Sequence, residues 1–77
     1  MDENLSWRAR LLKANINIKY FDKHSALIYF DFAYRPHAGQ SQKWASSIYR
    51  PDHDMDWPEA ADQIRNLVTS LRKELED

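Results

Sequence analysis

The densest set of side chains able to hold a cation or move a proton is Asp52-His53-Asp54, followed closely by Asp56 and Glu59. Carboxylates supply hard oxygen ligands and acid–base groups, but a divalent site needs several of them converging on one point. Asp56 and Glu59 already have another task. They stand three residues apart before an apolar run, the spacing of a capping box, in which each satisfies a free helix-end amide. The segment therefore reads as a solvated helix-entry loop, with no metal and no cofactor expected. His24, His37 and His53 lie far apart and no cysteine is present to complete a zinc tetrahedron.

Nucleophilic chemistry fares no better. Ser46 or Ser47 acting with His53 would need a strained elbow or a glycine-lined oxyanion pocket. The only glycine is Gly39, which also excludes phosphate-cradling loops. A chain of 77 residues has little core from which to build a substrate pocket. The expectation is a protein that is not an enzyme.

The element that would position the acidic cluster is a helix. Trp57, Ala60, Ala61, Ile64, Leu67, Val68, Leu71 and Leu75 recur at the three-and-four spacing of one apolar stripe. Asp56 is its expected N-cap, Pro58 fits the first turn, and Met55 is placed to staple the entry. Glu74, Glu76 and Asp77 oppose the helix dipole, which predicts a frayed last turn despite possible Arg72–Glu76 and Lys73–Asp77 pairs.

Upstream, Ile16, Ile18 and Tyr20 alternate with polar residues, as do Ile28, Phe30, Phe32 and Tyr34, which predicts two strands. The polar Asp22-Lys23-His24-Ser25 between them is a hairpin loop, so the strands are antiparallel neighbours. A third strand spans 43–50, between Pro36 and Pro51, each of which lacks a ladder amide. The first fifteen residues fit a helical stripe through Leu5, Ala9 and Leu12 or a strand through Trp7, Ala9 and Leu11. The helix formers from Arg8 to Ala14 favour the helix. The predicted fold is a single small α+β domain, α-β-β-β-α, with β-β-β-β-α as the alternative. The first order is shared by double-stranded RNA-binding domains, but those need lysines at the start of the last helix, where this chain is acidic.

Composition bounds the partners. Residues 1–50 carry eight Lys/Arg against four Asp/Glu, and 51–77 carry three against eight, so the halves are +4 and −5 within a net charge of −1. Near-neutrality argues against generic nucleic-acid adhesion, while the segregation creates a basic and an acidic face. The longest apolar run, from Ala26 to Phe30, is far too short to span a bilayer, and no basic-then-apolar leader opens the chain. With no cysteine the expected compartment is the cytoplasm, with no membrane partner.

If the helices cover one side of the sheet, that side is expected to take Ile16, Ile18, Tyr20, Ile28, Phe30, Phe32, Tyr34, Trp44 and Ile48. The other side then shows Lys19, Phe21, Leu27, Tyr29, Asp31, Arg35, Ser47 and Tyr49, an aromatic surface for water. Ordinary cross-strand packing would explain such a face, as would a protein interface, self-association included, or single-stranded nucleic acid stacking on Tyr29, Phe21 and Tyr49.

The expected function is a non-enzymatic interaction module that binds, and modulates or inhibits, a larger protein or complex. Its candidate interface residues are Lys19, Phe21, Leu27, Tyr29, Arg35 and Tyr49, with a homodimer also in view. A second candidate surface is the acidic set Asp52, Asp54, Asp56, Glu59 and Asp62, able to occupy a site meant for phosphates. The alternative is a nucleic-acid-binding module using Lys19, Tyr29, Arg35, Lys43 and Arg50. Small cysteine-free chains without a catalytic constellation are common in phages and mobile elements, so an inhibitor of a host or defence system is the expected setting.

Overall fold

The structure, a computed structural model, describes residues 3–51 and 56–76, with side chains from residue 6 onward. Its elements are α1 (Glu3–Lys13), β1 (Ile16–Asp22), β2 (Leu27–Tyr34), β3 (Lys43–Tyr49) and α2 (Trp57–Leu75). The sheet is antiparallel in the order β1-β2-β3, so the α-β-β-β-α fold is as expected and α1 excludes the all-strand start. Both helices lie on one face of the sheet, and among the described residues no layer covers the other.

The core is apolar throughout. Trp7, Leu11, Ile16, Ile28, Phe30, Phe32, Ala60, Ala61, Ile64 and Val68 form one buried cluster. On α1 the buried pair is Trp7 and Leu11, four residues apart on one face, while Leu12 is 57% exposed. The expected stripe through Ala9 and Leu12 is thus rotated onto Trp7 and Leu11; Leu5 lies outside the described side chains. Trp7 stacks on Trp57 of α2 at 4.8 Å and 6°, which fixes the two helices against each other.

The hairpin from β1 to β2 is closed by the chain's own polar groups. Asp22 Oδ1 accepts from the backbone N–H of His24 at 3.0 Å and of Ser25 at 3.4 Å, the side chain imitating a backbone turn. Ala26 ends the turn at φ 55°, a left-handed conformation in which its Cβ crowds the carbonyl. Asn15, between α1 and β1, also stands in the left-handed region at φ 59°, which asparagine tolerates well.

α2 starts where the sequence says. Asp56 accepts from the Glu59 N–H at 3.0 Å, and Pro58 occupies the first turn. Met55 lies outside the described residues. The end departs from expectation: the helix runs to Leu75, and the Glu76 carboxylate accepts the Arg35 N–H at 3.0 Å. Arg72, expected to pair with Glu76, instead donates through Nε to the Ala33 carbonyl and through Nη2 to the Ala14 carbonyl, both at 2.8 Å. One guanidinium thereby ties the ends of α1 and β2 to α2, and Asp77 lies outside the described residues.

Candidate protein-binding face

Which side chains reach the open face follows from the register. From Leu27 to Phe32 of β2 the alternation is clean: Ile28, Phe30 and Phe32 are buried under the helices, while Leu27, Tyr29 and Asp31 point the other way, and Ala33, opposite Trp44, is buried as well. β3 pairs Phe30 with Ser47, Phe32 with Ala45 and Ile28 with Tyr49. Directly opposed residues share a face, so Ala45, Ser47 and Tyr49 lie on the helix side and Trp44, Ser46 and Ile48 on the open side. This reverses the expectation for β3. Tyr49 and Ala45 pack against the core, whereas Trp44 is 54% and Ile48 48% exposed.

β1 changes phase partway along. Ile16 and Ile18 pair with Phe32 and Phe30, but the register shifts between Ile18 and Tyr20, so that Tyr20 faces Tyr29 and Phe21 faces Ile28. One extra residue at Lys19 swaps the faces of everything after it. Phe21, expected on the open face, therefore sits on the helix side with its ring edge-on to Trp57 at 5.4 Å and 83°. Tyr20, expected in the core, is 52% exposed on the open face.

The face that results differs from the expected one in membership and keeps its character. A row across the sheet runs Tyr20, Tyr29, Ile48, with the two tyrosines stacked at 4.4 Å and 13°. Beside it is a polar row in which the Ser46 hydroxyl donates to Asp31 Oδ1 at 2.6 Å and Lys19 Nζ stands 3.9 Å from the same oxygen. Beyond that row rises Trp44. The aromatic row and the polar row line a shallow hollow of about 550 Å³ between Lys19, Tyr20, Tyr29, Ser46 and Ile48.

Desolvation against the sheet, then the side-chain hydrogen bond with Tyr20, raises the Tyr29 phenol above its ordinary value, with the charges of Tyr20 and Asp22 adding and Arg50 subtracting. Tyr29 is therefore a neutral hydroxyl throughout the physiological range and serves as a hydrogen-bonding aromatic.

The remaining candidates are placed as follows. Leu27 lies on the open side at the hairpin end, opposite Asp22. Arg35 lies just beyond β2, at a second cleft of about 480 Å³ lined by Asn15, Tyr34, Arg35, Gln42, Arg72 and Glu76. Two donors of Arg72 are spent there on carbonyls and Glu76 caps the Arg35 amide, so this cleft is the joint between α2 and the sheet. Of the acidic set, Asp56 is the cap, Glu59 is exposed in the first turn of α2, and Asp62 stands 3.6 Å from Arg65. Asp52, His53 and Asp54 lie outside the described residues. Among the described residues no three His, Asp or Glu side chains gather into a metal-binding group, and no helix is long and apolar enough to cross a membrane.

Sequence reasoning missed Tyr20, Trp44 and Ile48 as members of this face. Their apolar character placed them in the core, and only the pairing partners on β2 reveal the phase. Comparison with protein-family models, with curated proteins and with solved structures finds no match.

Proposed function

We propose that the protein is a non-enzymatic protein-binding module whose working surface is the open sheet face and whose partner is a larger protein or complex. The observation that carries this reading is the exposure of Tyr20, Trp44 and Ile48 on one face, where Tyr20, Tyr29 and Ile48 also line a hollow. Three large apolar side chains about half exposed and grouped on one surface are unusual for a surface that meets only water. Tyrosine and tryptophan dominate the energetically decisive centres of protein interfaces. The polar row is compatible with the same use: Asp31 accepts from Ser46 and stands beside Lys19, so the charges at the centre of the face are balanced.

The same row weakens the nucleic-acid alternative. Lys19, one of the cations that reading needs, is already beside Asp31, and an acidic group at the centre of the face repels phosphate. Asp62 and Asp56 likewise have local partners in Arg65 and the α2 amides.

The test is site-resolved cross-linking in the native cell, with a photoreactive residue at Trp44 or Ile48 and, as control, at Arg65 on the solvent side of α2. Binding through the sheet predicts one discrete adduct with a different protein, heavier than twice the chain's own 9.2 kDa, from positions 44 and 48, absent at 65 and lost when Tyr20→Ala is added. Adducts at Arg65 alone, or adducts to nucleic acid that disappear as salt is raised, contradict the reading.

A further inference from the structure

The open face carries an exposed indole and a recess. Trp44 is 54% exposed toward one end, and the hollow lined by Tyr20, Tyr29, Ile48 and Ser46 lies toward the other. Along β3, Trp44 and Ile48 are four residues apart, roughly 13 Å of strand. Both parts belong to one surface, so a dyad passing near Ser46 brings the Trp44 of each of two copies to the hollow of the other. A surface with that property is self-complementary, the requirement for an isologous dimer.

Charge permits it. At a dyad each charged patch meets its own copy, so a face of one sign repels itself. Here the central charges are a Lys19–Asp31 pair 3.9 Å apart, and the phenol of Tyr29 is neutral. Ser46 donates to Asp31 and Lys19 stands beside the same oxygen, so the central charges are balanced, and their remaining hydrogen-bonding positions are met by water within the contact.

Area sets the strength. Three strands of about seven residues cover roughly 14 Å by 24 Å, which two copies with protruding side chains convert to about 1,000 Å² of buried surface. That is the lower end of specific interfaces, where contacts are exchangeable. We infer that the open face of the free protein is covered by the same face of a second copy, in a weak dimer that must dissociate before another partner can bind there. The inference rests on the reading of this face as the protein-binding surface and adds how it is kept covered. Self-association and partner binding are then mutually exclusive, and the apparent affinity for the partner falls by the fraction of chains held in the dimer.

Sedimentation equilibrium from about 1 µM to about 1 mM, a range that brackets a contact of about 30 µM, tests this on wild type, Trp44→Ala, Ile48→Ser and the control Leu12→Ala. Leu12 is exposed on α1, away from the sheet face. Wild type and the control should rise from 9.2 kDa toward twice that mass. Trp44→Ala and Ile48→Ser should weaken association at least about tenfold while their circular dichroism stays unchanged. Wild type remaining at 9.2 kDa throughout overturns the inference, as does a dimer that both substitutions leave intact. Cross-linking separates the two readings by the mass of the adduct: at positions 44 and 48 an adduct of twice 9.2 kDa reports the dimer alone, whereas an adduct to a different protein decides the protein-binding reading.

Discussion

The two faces of the sheet are built from the same three strands and the same kinds of side chain, yet only one holds the molecule together. On the covered face Phe30 and Phe32 pack ring to ring at 6.3 Å, fully enclosed beneath Ile64 and Val68. On the open face Tyr20 and Tyr29 pack even closer, at 4.4 Å, and Tyr20 remains half exposed. Close ring contact alone therefore does not make a core. What separates the faces is the second layer, which removes one set of aromatics from water and leaves the other available.

The sharpest way to break this comparison is to truncate one ring from each side. Phe30→Ala should lower unfolding free energy by about 3–5 kcal/mol, from lost transfer energy and the cavity left behind. Trp44→Ala should change it by no more than about 0.5 kcal/mol when measured on the monomer. Equal losses in urea unfolding would mean that the open face belongs to the core.

Next in size is the joint between α2 and the sheet. Arg72→Ala removes two charge-assisted hydrogen bonds and leaves the Ala14 and Ala33 carbonyls without that donor, which should cost about 2–3 kcal/mol. Arg72→Lys should recover only part of this, because an ammonium does not reproduce the fork that reaches both carbonyls. Hydrogen exchange at the Ala33 and Asn15 amides should speed up with the loss.

The smallest expected effect is a gain. Ala26 pays for a left-handed backbone that glycine adopts freely, so Ala26→Gly should stabilise the hairpin by up to about 1 kcal/mol, visible as a higher thermal midpoint. An unchanged or lower midpoint would show that the turn does not hold that conformation.

How much of this was readable in the sequence depends on what fixes each feature. The start and body of α2 were legible because the stripe, the Asp56 cap and Pro58 are local signals. Its last turn was not: Leu75 of the stripe is 42% exposed, and the side chains of Arg72 and Glu76 bond to the sheet side instead of to each other. The β2 alternation was legible because both its phase and its burial come from one strand. The open face was not. Lys19 inserts one residue into β1 and exchanges Tyr20 with Phe21, and nothing in the local pattern marks that bulge. In β3 the larger residues Trp44 and Ile48 pointed to the core, but pairing with β2 places Ala45 and Ser47 under the helices instead. Register is a property of two strands, so hydrophobicity along one of them can assign the wrong face. An aromatic open face was thus expected, with Phe21 and Tyr49 named in place of Tyr20, Trp44 and Ile48.

The central claim, that the aromatics of the open face are surplus to folding and held for contact, is tested most directly by removing them together. Urea unfolding of Tyr20→Ala/Trp44→Ala/Ile48→Ser should be read at about 1 µM, well below the half-saturation of a contact of about 30 µM, so that the monomer alone is measured. The account predicts a cooperative transition within about 2 kcal/mol of wild type, the allowance being the lost Tyr20–Tyr29 stack and minor strand packing. A variant that unfolds without a cooperative transition, or loses as much as Phe30→Ala, would contradict it and make the open face a second core.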